Sequence, residues 1–135
     1  MSERIITVVA ALIRDQDGRV LVVRKRGTVA FMQPGGKLHA TESHLAALER
    51  ELAEELQCAL RPGSHEFLGT FSAPAANESG SLVEAALYRV QLLGPVTPAA
   101  EIEELLWLDP HHPPQIELAP LTQNSVLPLA TRRHQ

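Results

Sequence analysis

The sequence holds one cysteine, Cys58, in 135 residues, so no internal disulfide framework is available and a reducing, cytoplasmic setting is expected. Aromatic residues are only 4% of the chain, which leaves Phe31, Phe67, Phe71, Tyr88 and Trp107 as the few side chains able to stack on a ligand. Positive charge is also short: 12 Lys and Arg stand against 16 Asp and Glu, for a net charge of −4. That balance argues against a protein that coats nucleic acid, so no nucleic-acid partner is expected. Long hydrophobic runs are missing too. The longest, Ile5–Ile13, is nine residues, about half of the roughly 20 that a bilayer span needs. It lacks a small-residue cleavage site and runs into Arg14-Asp15-Gln16-Asp17-Gly18, a turn sequence, so it reads as a buried strand with no membrane role. What remains is an ordinary soluble composition, 44% hydrophobic and 21% charged, expected to form a single domain over residues 1–135.

Ile5–Ile13 and Val20–Val23 flank Asp17-Gly18, a pair that favours a tight hairpin. Val29–Met32 is expected to form a short third strand, and Gln33-Pro34-Gly35-Gly36-Lys37 to break regular structure. From Glu42 to Cys58 the period becomes helical. At about 100° per residue, Leu45, Leu48, Leu52 and Leu56 fall in one stripe of roughly 80° that would face the core. Thr41 or Ser43 would cap this helix, with Glu42 at the positive end of its dipole. His65–Phe71, Leu82–Leu92 and Leu105–Leu108 read as strands, and a last helix is expected between Leu121 and Arg132. Strands on both sides of one strong helix indicate an α+β or mixed α/β sandwich.

The acidic residues are not spread evenly. Five glutamates lie within Glu42–Glu55 with Arg50 as the only Lys or Arg among them, and three more lie within Glu101–Glu104. On the helix, Glu51, Glu54 and Glu55 are spaced i, i+3 and i+4 and share a sector of roughly 100°. Glu55 falls beside the leucine stripe and Glu54 at the outer edge. Arg50 can pair with Glu54 at i, i+4, but one guanidinium does not balance three carboxylates. Two readings follow: a solvated acidic face, or oxygen donors for a hard divalent cation such as Mg²⁺. Gly35-Gly36 just upstream, where backbone can approach a ligand closely, and Lys37, a cation for phosphate, favour metal-assisted chemistry on a phosphate ester.

Gly36, five residues, Glu42, seven residues, then Arg50-Glu51-Leu52-Ala53-Glu54-Glu55-Leu56-Gln57-Cys58 resembles the Nudix box, G-x5-E-x7-R-E-U-x-E-E-x-G-U, where U is a bulky aliphatic residue. Every charged position agrees over these 23 residues. Gln57 replaces the box glycine, which serves a left-handed helix cap, and Cys58 replaces an aliphatic residue. The resemblance implies an α/β fold, the α/β/α sandwich of the family with a mixed β-sheet. It implies that Glu51, Glu54 and Glu55, with the carbonyl of Gly35, are ligands of Mg²⁺, for which Mn²⁺ is a substitute. Arg50 would orient Glu51, and Glu42 would support the loop–helix geometry. The implied reaction is Mg²⁺-dependent hydrolysis of the pyrophosphate bond in a nucleoside triphosphate or another nucleoside diphosphate derivative, a small-molecule substrate.

Glu51 and Glu54 are the first catalytic candidates, with Arg50. Glu101, Glu103 and Glu104 lie in a segment resembling the loop that supplies a further ligand or base; Glu101 is the first choice among them, and an exposed acidic turn is the plain alternative. For substrate binding, Arg24 and Arg26 at the end of the second strand and Lys37 are candidates for phosphate, and Phe31 for a base, against readings as a solvated strand end and a core residue. Trp107 is expected in the core. His39, His44, His111 and His112 lack cysteine partners and read as ordinary histidines. A catalytically silent nucleotide-binding or regulatory module of the same fold is the alternative function. Retention of the mutually repelling Glu51, Glu54 and Glu55 speaks against it. The short chain and the placement of Cys58 inside the box speak against an isomerase of this fold. The family resemblance also admits a homodimer.

Overall fold

Val9, Ala10, Ala11, Leu12 and Ile13 are all buried, and successive residues belong to opposite cores. This is why the run carries no polar alternation: a strand covered on both faces needs apolar residues at every position. The computed structural model describes residues 4–132. Its elements are β1 (Arg4–Leu12), β2 (Val20–Lys25), β3 (Gly35–Lys37), α1 (His44–Leu56), β4 (Glu66–Pro74), β5 (Ser81–Arg89), β6 (Ile102–Leu108), and a π-helical turn, Thr122–Val126, that continues into α2 (Leu127–Thr131). One sheet has the order β3-β1-β5-β4, and β2 and β6 form a second, two-stranded sheet. β1 and β5 are parallel while β1–β3 and β4–β5 are antiparallel, so the sheet is mixed.

Val9, Ala11, Ile13, Leu21 and Val23 pack with Leu48, Leu52 and Leu56 of α1. Ala10, Leu12, Val20 and Val22 pack on the other side with Leu121, Val126 and Leu127. Helix, strands and helix make three layers, the expected α/β/α sandwich. Trp107 is half-buried at the edge of the α1-side core, and Cys58 lies within that core. Among the described residues no helix is long and apolar enough to cross a membrane.

Four local expectations change. The Asp17-Gly18 turn forms, with Asp15 N–H donating to the Arg19 carbonyl at 3.0 Å, but β1 and β2 then part into different sheets. Both strands are buried on both faces, and each takes its main partners from later in the chain. Val29–Met32 makes only isolated bridges, Met32 to Val23 and Phe31 to Leu118, because Gly27 and Pro34 leave too short a run between them. Gln33–Lys37 does not wholly break regular structure: Gly35–Lys37 pairs with β1 through Val8, Val9 and Ala10. Finally, α1 starts at His44, capped by Ser43, whose Oγ accepts from Ala46 N–H at 3.1 Å. Glu42 therefore stands outside the first turn and has a different role. The last helix is present where expected, with a π-helical first part.

Candidate active site

The site is the junction of β3, α1 and the segment leading into β6. Gly35 has φ 144, and a Cβ there would overlap the Val9 carbonyl oxygen, so only glycine lets β3 lie this close to β1. At Gly36 a Cβ would come within 2.5 Å of the Glu51 carboxylate, so the second glycine makes room for a side chain of α1. Paired glycines thus bring bare backbone against the helix carboxylates.

Arg50 organises one side of this junction. Its Nε donates to Glu42 at 2.6 Å, its Nη2 to Glu42 at 2.7 Å and to the Lys37 carbonyl at 3.0 Å, and its Nη1 to Glu51 at 2.5 Å. The expected Arg50–Glu54 pair is not what forms, because Glu42 offers both carboxylate oxygens to the guanidinium fork. This bridge and the His39 amide hold the Glu42 carboxyl down to about 2, and Glu42 and Glu51 in turn raise the pKa of Arg50. The arginine fixes Glu51 and ties the β3 loop to α1.

Glu55 is the unusual member. It is 6% exposed, and its Oε1 accepts from Gly35 N–H at 3.1 Å. Burial pushes its carboxyl up to about 8; the Glu51 and Glu101 charges add to this, while the Gly35 amide and Lys25 oppose it. Glu54, on the next edge of the helix, is exposed. Beyond the helix, Thr97 N–H donates to the Leu56 carbonyl at 2.9 Å and Ala99 N–H to the Glu55 carbonyl at 3.0 Å. These bonds satisfy the helix end and hold the segment carrying Glu101 beside Glu55. The cap residue itself, Gln57, adopts the left-handed conformation (φ 53, ψ 42) that the absent glycine would take, with its N–H on Ala53.

A cleft of about 200 Å³ opens on β3. Lys37, Lys25, Gln33, Glu78 and Thr122 line it together with Gly35 and Gly36, whereas Glu51, Glu54 and Glu55 do not. Arg24 and Arg26 do not line it. Arg24 binds Glu104 and the Thr28 carbonyl, at 3.0 and 2.8 Å, and lies 6.0 Å from the Phe31 ring centre; Arg26 pairs with Glu103 at 3.2 Å. β2 shifts register against β6 between Arg24 and Lys25, and Lys25 lines the cleft where the flanking arginines do not. Sequence reasoning passed over Lys25, because a strand irregularity set by pairing with β6, remote in sequence, leaves no local signal. Phe31 is 7% exposed in the core beside α2 and does not line the cleft. His44 is half-buried, with Nδ1 2.8 Å from the Tyr88 hydroxyl.

Among the described residues, no three His, Cys, Asp or Glu side chains are gathered tightly enough to hold a metal ion as they stand. Glu51 is turned to Arg50 and Glu55 to Gly35. The donor chemistry nevertheless fits a hard divalent cation. It consists of carboxylate oxygens from adjacent helix turns, one of them buried and hydrogen-bonded only to an amide, beside half-buried glycine backbone.

The chain belongs to the Nudix family: the NUDIX domain model matches residues 4–129. It is 32% identical over 124 residues to the CTP pyrophosphohydrolase of Escherichia coli (strain K12), covering 87% of this chain and 85% of that protein. The solution structure of the E. coli ORF135 protein superimposes with a TM-score of 0.69 at 28% identity, over 95% of this chain and 87% of the other. The crystal structure of a MutT Nudix hydrolase from Burkholderia pseudomallei gives 0.73 at 24% identity, over 95% and 96%, a likeness of fold.

Proposed function

We propose that this protein hydrolyses the pyrophosphate bond of a nucleoside triphosphate or a related nucleoside diphosphate derivative, with Mg²⁺ held by Glu51, Glu54, Glu55 and the Gly35 carbonyl. The observation that carries the proposal is the buried Glu55 carboxyl on the Gly35 amide, flanked by a Glu51 that Arg50 holds in place. Two acids so close, one in an apolar setting, favour a cation over a merely solvated helix face. Bound there, Mg²⁺ supplies charge neutralisation on the anhydride and a more acidic water.

The chain's own residues do the rest. Lys37 and Lys25 offer positive charge to the phosphates from the cleft wall. The water oxygen forms a bond to one phosphorus as the bridging P–O bond breaks, and the leaving phosphate keeps the bridging oxygen. A base takes the water's proton. Of the late-segment candidates, Glu103 and Glu104 are engaged with Arg26 and Arg24, whereas Glu101 acts electrostatically on Glu55, which supports Glu101 for this role. Glu51 remains the candidate on the helix. Arg50 acts as a positioning residue through Glu51.

The name of the E. coli relative puts CTP first among substrates to try. The test is release of pyrophosphate or phosphate from CTP, the other nucleoside triphosphates, oxidised nucleotides, ADP-ribose and nucleotide sugars with Mg²⁺. Cleavage of at least one is expected. Nucleotide binding with no cleavage across the panel would replace this reading by the silent binding module.

A further inference from the structure

Two side chains that line the cleft each carry an oxygen with no hydrogen-bond partner. Gln33 is 6% exposed and Thr122 fully buried, and both line the cleft, yet Gln33 Oε1 and Thr122 Oγ1 lack any hydrogen bond. Buried oxygens are nearly always paired, so each marks a place where a partner is missing or arrives from outside the chain. The third buried orphan, Arg14 Nε, belongs to a guanidinium already bonded to the Ala130 carbonyl and does not line the cleft.

The Gln33 amide is fixed in sense. Its Nε2 donates to the Ala11 carbonyl at 2.9 Å, and a flip would set two acceptors against each other. Oε1 is therefore a committed acceptor. Thr122 opens the π-helical turn, whose wider i→i+5 bonding occurs often at functional sites, and its hydroxyl can donate or accept. The rest of the lining is largely apolar, with Ile6, Val8, Val83 and Leu121 beside Lys25, Asn77 and Glu78, and it includes Gly35 and Gly36, whose backbone abuts Glu55 and Glu51. A largely apolar slot that holds a fixed acceptor and adjoins the glycine strand beside the α1 carboxylates suits a flat heterocycle joined to a phosphate chain.

We propose that Gln33 and Thr122 read the edge of the substrate's nucleobase and select bases that carry an exocyclic amine at pyrimidine C4 or purine C6 next to a ring-nitrogen acceptor, cytosine or adenine. This rests on the hydrolase reading above and narrows its substrate class. The amine donates to Gln33 Oε1, and the Thr122 hydroxyl donates to the ring nitrogen. Uracil and guanine place a carbonyl where the amine would be, and Gln33 cannot turn to meet it without losing Ala11. Rejection arises from that unpaired acceptor more than from shape.

The test is calorimetric binding of CMP, AMP, UMP and GMP with a chelator present, so that no turnover is required. CMP should bind about tenfold more tightly than UMP, and AMP than GMP. The pyrimidin-2-one ribonucleotide, which has hydrogen in place of the amine, should lose the same factor against CMP with no change in the protein. Thr122→Val and Gln33→Met should shrink the preference to about threefold or less, and Thr122→Ser should keep it. Equal binding of CMP and UMP, no binding of any monophosphate, or equal binding of CMP and its amine-free analogue would overturn the proposal, whether or not the variants fold. Turnover of the triphosphates with Mg²⁺ is recorded separately. Cleavage without base preference removes this inference and leaves the hydrolase, while base preference without cleavage does the reverse.

Discussion

A carboxyl raised to about 8 inside a folded protein costs stability once it ionises, and Glu55 is in that position. Its folded pKa lies above the ordinary 4.5, so its contribution to stability is fully present below about pH 4.5 and is lost as pH rises through about 8. In chelator, the wild-type melting temperature should therefore decline over that window relative to Glu55→Gln, which has no proton to lose. A tenfold change in proton affinity between the folded and unfolded chain is worth about 1.4 kcal/mol, so the divergence amounts to a few kcal/mol at its upper end. Parallel wild-type and Glu55→Gln profiles in thermal unfolding would contradict the burial argument. At this scale the sequence was informative about the acids and poor about their partners. The i, i+3, i+4 spacing put Glu55 beside the core and Glu54 outside it, and the structure agrees. Arg50 choosing Glu42 over Glu54 depends on where a loop eight residues upstream comes to rest, which helix geometry does not encode.

At the level of elements, the two glycines of β3 differ in what they make room for. Gly35 is hemmed in by β1 backbone, and Gly36 by the end of the flexible Glu51 side chain. Gly35→Ala should cost about 2–4 kcal/mol of unfolding free energy in denaturant titrations. Gly36→Ala should cost under about 1 kcal/mol while lowering turnover about tenfold or more by displacing Glu51. Equal destabilisation by both would mean that Glu51 is not the obstacle at Gly36. The end of α1 offers a second case. Gln57 holds a left-handed conformation without glycine's freedom, so Gln57→Gly should stabilise the protein by about 0.5–1 kcal/mol; an unchanged or lower urea midpoint would show that the cap is not strained. A missing glycine makes this turn look unfavourable from sequence, yet it forms, since the helix-end hydrogen bonds and Cys58 entering the core hold it. The opposite holds at β3. Proline and glycines signal a break in the chain, and only the pairing with β1, remote in sequence, makes three of those residues a strand.

For the molecule as a whole, the unbroken apolar run of β1 was the legible clue to layering: a strand with no polar face implies cover on both sides. The α1 stripe located one cover directly. The other, the π-helical turn and α2, lies in a proline-rich tail whose packing against Phe31 and Leu12 had no periodic signal. The same tail supplies Thr122 to the cleft, so the layer that was hardest to read also forms part of the cleft wall. The acidic excess likewise resolves into place. Much of it is one junction where α1, β3 and the approach to β6 meet. Among the described residues, Lys25 and Lys37 are the lysines that line the cleft beside it, and no arginine does.

The most direct test is one kinetic experiment on whichever nucleotide the panel shows to be cleaved, with wild type and Glu54→Gln each assayed in chelator and again after Mg²⁺ is restored. Glu54 is exposed, so the substitution should leave the melting temperature nearly unchanged. The expected result is no turnover in chelator, recovery of the wild type with Mg²⁺, and a Glu54→Gln rate lower by about 100-fold or more. Turnover that persists in chelator, or a Glu54→Gln enzyme as fast as the wild type, would contradict a metal site built on the α1 carboxylates.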